Sequence, residues 1–200
     1  MSEGQRKALH EHWDQYVLDL PESSVSATGL FDNDYPLTIE IGFGMGDSLV
    51  EMAALAPQKN FLGVEVHRPG IGHLLAETSS RNLTNLKVVA DDSMMVLEKL
   101  KHSEVACVQV FFPDPWPKKR HHKRRLINAG FLDLVVKCLK AGGVLHIATD
   151  WEPYGEEIRE LLDGDERFED VPVPVRVETK YERRGIRLGH KVTDIAVKLV

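Results

Sequence analysis

Cysteine is scarce in this sequence, and long apolar runs are missing. The two cysteines among 200 residues, Cys107 and Cys138, have no cysteine or histidine near them at metal-ligand spacing. We therefore expect reduced core thiols, and neither a disulfide nor a metal site. The longest apolar runs are only as long as a strand, which excludes a membrane-spanning helix. The first 20 residues contain acids and histidines where a secretory signal needs an apolar segment, and this predicts a cytoplasmic protein.

Positive charge is concentrated in one short segment. The chain has a formal net charge of −6, yet residues 118–125, with the sequence KKRHHKRR, contain six Lys or Arg and no acid. The remainder of the chain therefore carries a net charge of −12. A positive segment on an acidic body indicates a localised site for a polyanion, although basic runs are also common as solvated surfaces without a ligand.

Short apolar runs alternate with helical patterns along most of the chain. The pattern predicts strands at 37–44, 60–66, 86–92, 105–112 and 143–150. It predicts helices at 47–56, around 70–80, and at 93–100, 130–143 and 153–163. This alternation is typical of an α/β fold with a mostly parallel sheet covered on both faces. Two last strand-like runs, 171–179 and 193–200, have no helical pattern between them, so we expect an antiparallel C-terminal pair at the sheet edge.

The length of the chain predicts a single domain over residues 1–200. The segment 1–20 precedes the first predicted strand. It is either an amphipathic helical extension outside the sheet or an interaction element, and the sequence favours neither.

A carboxylate stands at or near the end of each of the five predicted parallel strands. Ligands of open α/β sheets bind beyond the carboxyl ends of the strands, so these residues are the candidates for a site. A single such acid is commonly a helix cap or a turn residue, but five at equivalent positions favour a shared site. The candidates are Glu40 with Gly42, Gly44 and Gly46, then Glu65, Asp91 and Asp92, Asp114, and Asp150.

The glycine loop indicates which kind of cofactor binds there. It reads GFGMGD over residues 42–47, so its third glycine comes one residue earlier than in the dinucleotide fingerprint, and Asp47, a plausible helix N-cap, takes the fingerprint position. Glu40 and Asp47 would repel a pyrophosphate, but they would favour the cationic S-adenosylmethionine. Glu65 follows at the offset of an acid that accepts from ribose hydroxyls, and Asp91 or Asp92 is placed to contact the adenine. A nicotinamide oxidoreductase is therefore the less favoured reading.

The stretch FFPDPWPKKRHHKRR, residues 111–125, places a proline-rich loop directly before the basic segment. Its three prolines fix their own φ and bias the residues before them towards extended geometry, so Asp114 is held on a stiff backbone. Trp116 either packs under the loop or stacks on a base. A cofactor site, a stiff acidic loop and a basic segment together predict a nucleic-acid base methyltransferase.

This stretch closely resembles the signature loop of the bacterial tRNA (guanine-N7)-methyltransferases. The blocks IEIGFGMGDSL, GVEVHRPGIG, LKAGGVLHIATDWEPY and ETKYERRGIRLGHKVTDIAV also resemble that family, in its order, from about Gly4 to Val200. The resemblance implies a Rossmann-like S-adenosylmethionine-dependent methyltransferase fold. It also implies transfer of the methyl group to N7 of a guanosine at about position 46, in the variable loop of tRNA. Family members usually carry an Arg-rich arm before the segment at which this chain starts, so we expect either weaker tRNA binding or a different substrate.

The resemblance also implies roles for individual residues. Glu40, Glu65 and Asp92 would contact S-adenosylmethionine beside the glycines of the loop, with Asp92 preferred to Asp91, and Asp114 would be the catalytic acid at the junction of cofactor and substrate. By their charge, we expect the basic segment and Arg183, Arg184, Arg187 and Lys191 to hold the flanking phosphates. We expect tRNA as partner, and no metal, membrane or obligate protein partner. The implied substrate contacts are Lys118, Asp150, Thr179, Lys180, Tyr181 and Glu182.

Two further readings stay open at this point. An acid-Pro-aromatic loop also occurs in methyltransferases that act on an exocyclic amine of a base. The other open reading is an RNA-binding paralogue that lacks catalysis, although the complete set of strand-end acids argues against it.

Overall fold

The computed structural model describes residues 1–177, 182 and 191–200. The described residues form one seven-stranded sheet in the order β3-β2-β1-β4-β5-β7-β6. Strands β1 to β5 are parallel, whereas β7 runs antiparallel to both β5 and β6. The predicted parallel sheet with an antiparallel C-terminal edge pair is therefore confirmed. The strands are β1 (Leu37–Ile41), β2 (Asn60–Val64), β3 (Leu86–Val89), β4 (Val105–Phe111), β5 (Leu139–Thr149), β6 (Phe168–Asp170) and β7 (Thr193–Leu199).

Helices cover both faces of the sheet. On one face, the side chains of Ile39 and Val108 pack with α5, α6 and α7 in one apolar cluster. On the other face, Phe61 and Val88 pack with α1, α3 and α4 in a second cluster. Buried strands of this kind carry apolar side chains on both sides, which explains the continuous apolar runs of the sequence. The helices are α1 (Glu3–Glu11), α2 (Trp13–Tyr16), α3 (Asp47–Leu55), α4 (Arg68–Ser80), α5 (Ser93–Lys99), α6 (Ala129–Cys138) and α7 (Glu152–Asp163).

The N-terminal segment packs on the fold. Helix α1 begins with a capping box in which the Ser2 hydroxyl accepts from the Gln5 amide at 3.2 Å and the Gln5 side chain accepts from the Ser2 amide at 2.7 Å. It crosses α4 at Gly72, where an added Cβ would lie 2.6 Å from the Gln5 carbonyl oxygen. After α2, the Leu18 amide donates to the Val88 carbonyl at 2.7 Å, so this segment covers the outer edge of β3. Of the two readings of residues 1–20, the structure supports a helical extension that is packed on the core.

Two predicted boundaries were wrong. The strand predicted at 171–179 lies earlier, as the short β6, and residues 171–177 form no strand. Pro172 and Pro174 have no amide hydrogen to donate to a ladder. The helix predicted at 130–143 ends at Cys138, because Leu139 turns extended and pairs with Val105 as the start of β5.

Both cysteines are free thiols, as expected. Burial raises the pKa of Cys107 to about 12 and that of Cys138 to about 11, so both stay protonated. The described residues include no group of three or more His, Cys, Asp or Glu side chains that would hold a metal ion. Among the helices that the structure describes, none is both long and apolar enough to cross a membrane.

Candidate active site

A cavity of about 430 Å³ opens at the carboxyl ends of β1 to β4. Its walls are the turn after β1, the residues after β2 and β3, and the proline loop after β4. Four of the predicted site residues line it together, although they are distant in sequence: Gly42, Glu65, Asp92 and Asp114. Asp91 also lines the cavity.

The glycine loop bends sharply at the edge of this cavity. Gly42, Gly44 and Gly46 have φ values of 72°, 61° and 80°, a left-handed backbone that glycine adopts at low cost. An added Cβ at Gly46 would also meet Leu74 of α4 at 2.6 Å. Gly46, and not Asp47 as predicted, is the N-cap of α3, and the Asp47 carboxylate lies 3.1 Å from Nε2 of His73. Gly42 lines the cavity, while Gly44 and Gly46 shape the turn behind it.

The Glu65 carboxylate is held by three backbone amides. Oε2 accepts from Gly44 at 2.9 Å, and Oε1 accepts from Val66 at 2.8 Å and from His67 at 2.9 Å. A carboxylate has about four acceptor positions, so at least one remains on Oε2. The glycine loop thus fixes the orientation of this side chain towards the cavity.

The carboxylates of Asp91 and Asp92 accept different backbone hydrogen bonds. Oδ1 of Asp92 caps α5 by accepting from the amides of Met94 at 2.9 Å and Met95 at 3.4 Å. Oδ1 of Asp91 accepts from the Asp92 amide at 2.7 Å. Within the described part of the chain, Oδ2 of Asp92 accepts no hydrogen bond, and Asp92 is the more exposed of the two. Its carboxylate is therefore fixed by the helix and still offers one oxygen.

Glu40 is placed differently from the other predicted cofactor residues. It is 2% exposed and precedes the cavity-lining residues Ile41 and Gly42. Burial raises the pKa of Glu40 to about 8, and the nearby positive charge of Arg176 opposes this rise. Its Oε2 has no hydrogen-bond partner among the described residues. Glu40 thus lies behind the cavity, and its predicted contact with the cofactor stays a prediction.

The proline loop departs from the geometry that its prolines predict. Phe112 and Trp116, which both precede a proline, have φ values of 54° and 44°, and not the extended geometry that we expected. A left-handed non-glycine residue costs about 1–3 kcal/mol, and such strain clusters at functional sites. The Phe112 amide still donates to the Ala148 carbonyl at 2.7 Å, so the chain stays paired with β5 at this point and turns directly afterwards. This turn places the exposed Asp114 at the cavity.

The basic segment forms a 3₁₀ helix, Lys119–Arg124, next to the same loop. The guanidinium of Arg124 lies 4.9 Å from the centre of the Trp116 ring, and the His121 ring meets that ring edge-on at 5.8 Å. Trp116 and Arg124 both line the cavity. The tryptophan therefore joins the cavity to the basic segment, and Lys118 is exposed at the start of the 3₁₀ helix.

Arg125 does not face solvent as the rest of the basic segment does. It is 4% exposed, and its Nε donates to the Pro115 carbonyl at 2.8 Å. Its Nη1 pairs with Glu157 of α7, and its guanidinium lies 4.7 Å from the centre of the Tyr154 ring. The expectation that the whole segment faces phosphates was wrong for Arg125, which instead ties the proline loop to α7.

The predicted substrate contacts fall into three groups. Asp150 is half-buried directly after β5, at the same edge of the sheet. Glu182 is 8% exposed, and both of its oxygens accept from Arg176, at 2.5 and 2.9 Å. Thr179, Lys180 and Tyr181 lie outside the described residues, as do the predicted phosphate contacts Arg183, Arg184 and Arg187.

Sequence reasoning missed Arg125 and Arg176 as structural parts of this site. Arg125 was hidden in a run of exposed basic residues. Arg176 interrupts the apolar run VPVPVRV, and a lone charge in such a run was the available signal.

The fold matches that of solved methyltransferases. The structure superposes with a TM-score of 0.59 on the aminoglycoside resistance methyltransferase NpmB1, at 16% identity over 84% of this chain and 89% of the other. It superposes with a TM-score of 0.56 on an S-adenosylmethionine-dependent O-methyltransferase from Thermotoga maritima, at 16% identity over 86% of this chain and 63% of the other. The described residues therefore have the Rossmann-like fold of S-adenosylmethionine-dependent methyltransferases.

Sequence similarity identifies the family within that class. Residues 34–195 match the model of a family described as putative methyltransferase. The tRNA (guanine-N(7)-)-methyltransferase of Halorhodospira halophila is 47% identical over 100% of this chain and 90% of its own length. The protein of the same name from Aeromonas hydrophila is 45% identical over 100% of this chain and 88% of its own length. The chain belongs to the bacterial tRNA (guanine-N(7)-)-methyltransferase family.

Proposed function

We propose that this chain transfers the methyl group of S-adenosyl-L-methionine to N7 of a guanosine in the variable loop of tRNA. The observation that carries the proposal is similarity over the full chain to enzymes of this name. The local geometry supports it, because one cavity is lined by four strand-end carboxylates and adjoins an exposed basic 3₁₀ helix.

The residues of the cavity fit the proposed cofactor. A volume of about 430 Å³ is within the range of ligand sites, and the carboxylates suit a cationic ligand. In this proposal Glu65 accepts from the ribose hydroxyls, and Asp92 contacts the adenine through the oxygen that α5 does not use. Glu40 lies behind the glycine loop, and because its pKa is raised to about 8 it is mostly neutral at pH 7 until a bound cation favours its ionised form. When bound, S-adenosyl-L-methionine supplies an electrophilic methyl group on a sulfonium.

Asp114 is the proposed catalytic residue. Guanine N7 already carries an in-plane lone pair, so no general base is required for its attack. Positive charge then develops on the imidazole part of the base, and a fixed carboxylate beside that ring stabilises it. The left-handed residues on either side of Asp114 support this role, because such backbone strain clusters at functional sites.

The exposed basic residues are proposed to hold the tRNA. Lys118, Lys119, Arg120, Lys123 and Arg124 are all exposed beside the cavity and suit flanking phosphates. We propose Asp150 and the segment 179–182 as contacts to the target guanosine. We further propose that residues 1–200 act as one methyltransferase domain in the cytoplasm, without a metal or an obligate protein partner.

The test is methyl transfer from labelled S-adenosylmethionine to bulk tRNA in the presence of EDTA, followed by digestion and identification of the labelled nucleoside. We expect 7-methylguanosine as the main product. A methyl group on an exocyclic amine would support the alternative enzyme, and tRNA binding without any transfer would support the non-catalytic paralogue. A reaction that stops in EDTA would contradict the metal-independent account.

A further inference from the structure

A buried ionic cluster lies beside the candidate active site, and of its four residues only Glu182 has been given a role so far. Arg176, whose side chain is 6% exposed, donates from Nη1 and Nη2 to the two oxygens of Glu182, at 2.5 and 2.9 Å. It also donates from Nε and Nη2 to Oδ2 of Asp194, at 3.0 and 2.8 Å. Oδ1 of Asp194 lies 2.6 Å from Nε2 of the fully buried His146. We call Arg176, Glu182, Asp194 and His146 the Arg176 cluster.

The Arg176 cluster touches the wall of the cavity. The guanidinium of Arg176 lies 5.1 Å from the ring centre of Phe111 and 5.6 Å from that of Phe112. Both phenylalanines line the cavity, and Phe112 is the left-handed residue at which the proline loop begins. Asp194 pairs in register with Ala148 of β5, which in turn pairs with Phe111 of β4. The cluster therefore joins β5, through His146, to β7, through Asp194, beside the end of β4 from which the Asp114 loop starts.

The same cluster fixes a residue of the proposed substrate segment. Glu182 belongs to the stretch 179–182, and its carboxylate is bound by the planar fork of Arg176 in a geometry that lysine does not reproduce. A buried ion pair is weak evidence for stability, because desolvation offsets the attraction, but it is well suited to fixing one register of the chain. One guanidinium thus connects Glu182 to the base of the Asp114 loop.

We propose that Arg176 is a positioning residue that holds Glu182 at a fixed place relative to the Phe112–Asp114 loop. Arg176 itself touches neither the cofactor nor the reacting atoms in this proposal. It sets the distance between a residue that contacts the guanosine and the carboxylate that stabilises its charge. The inference rests on the proposed function, whose substrate segment it explains.

The test compares Arg176→Lys with Arg167→Lys. Arg167 is a matched control, because it also binds two carboxylates, those of Asp165 and Asp133. It precedes β6, which begins beside Leu199 at the end of β7 that lies away from Asp194. For each variant we would measure kcat, KM for tRNA, the Kd for S-adenosylmethionine and the thermal midpoint. We expect Arg176→Lys to lower kcat/KM for tRNA by about 10–100-fold, since small misplacements at a reacting centre have effects of this size. The Kd of Arg176→Lys for S-adenosylmethionine should stay within about twofold of the wild-type value, because the cavity carboxylates are unchanged. Arg167→Lys should match the wild-type protein in all four quantities.

Glu182→Gln and the double variant complete the test. Since Arg176 acts through Glu182, the loss in the double variant should equal the larger single loss and not the product of both. Normal kcat/KM in Arg176→Lys would overturn the inference, and so would a loss that appears equally in cofactor binding and in Arg167→Lys. A wild-type protein that makes no 7-methylguanosine would instead overturn the proposed function, so the two failures are distinguishable.

Discussion

Asp114 is the proposed catalytic residue, and its removal should separate chemistry from binding. It is exposed at the cavity, and the contacts that hold its loop are made by neighbours, through the Phe112 amide and the Pro115 carbonyl. Its substitution should therefore leave the fold and most of the tRNA contacts intact.

Asp114→Asn should reduce methyl transfer by about 100-fold or more, because a neutral amide does not stabilise the positive charge that develops on guanine. The tRNA Kd should change by less than about threefold, since the phosphate contacts remain. Single-turnover kinetics and filter binding would measure the two quantities, with Asp163→Asn at the exposed end of α7 as control. Near-normal turnover at saturating tRNA and cofactor would contradict the catalytic assignment.

Glu40 predicts a pH effect on stability. Its pKa in the folded protein is about 8, above the ordinary value of 4.5, because burial disfavours the charged form. Between these two pH values the folded state binds more protons than the unfolded state, so the free energy of unfolding falls as pH rises.

Wild-type protein should therefore lose stability relative to Glu40→Gln between pH 5 and pH 9, by about 1.4 kcal/mol for each unit of pKa difference at most. Urea unfolding of both proteins at several pH values measures this. Two stability curves that run parallel across the range would show that Glu40 does not titrate in this window.

Some of these residues could be predicted from the sequence, and others could not. Glu65, Asp92 and Asp114 were predictable because the ends of parallel strands meet at one edge, so position along a strand gives position in space. Arg125 and Arg176 were not, because their partners lie 32 and 18 residues away and depend on how α7 and β7 pack.

At the level of elements, the basic 3₁₀ helix is the part expected to bind phosphate. Neutralising Lys119, Arg120, Lys123 and Arg124 to Gln should weaken tRNA binding and flatten its salt dependence, by roughly 0.7–0.9 in slope for each lost contact. The matched control replaces four lysines elsewhere in the chain, Lys7, Lys101, Lys140 and Lys198, with Gln, and should keep the wild-type salt dependence. An unchanged slope in the first variant would show that the helix is only a solvated surface.

The proline loop depends on its anchor to α7. Arg125→Met should lower the free energy of unfolding by about 3 kcal/mol, because it removes a buried cation from the Pro115 carbonyl and Glu157. Arg124→Met, at the exposed neighbouring position, should change it by less than about 0.5 kcal/mol. Denaturant titration of the two variants compares them directly, and equal stabilities would contradict the anchoring role.

The periodicity of apolar residues predicted the helices and strands, except where prolines or strand pairing overrode it. The five parallel strands appeared where apolar runs predicted them. The run 171–179 is as apolar, but its prolines prevent a ladder, and the pairing of Leu139 with Val105 ends α6 earlier than its helical pattern predicts.

At the level of the whole molecule, positive charge is concentrated on one part of an acidic protein. The net charge is −6, yet the exposed 3₁₀ helix beside the cavity is basic, so we expect its field to direct a polyanion to this edge. Acidic residues line the same cavity, and Trp116 and Arg124 line it where it adjoins the basic helix. One edge of the sheet therefore places carboxylates and basic side chains side by side.

The central claim is that N7 of a variable-loop guanosine in tRNA is the nucleophile. The most direct measurement compares two transcripts of one tRNA, identical except that 7-deazaguanosine replaces the target guanosine in one of them. The account predicts normal tRNA binding to both transcripts, and methyl transfer to the guanosine transcript alone. Equal transfer to the 7-deazaguanosine transcript would contradict it, because that base has carbon in place of the nitrogen that is proposed to attack.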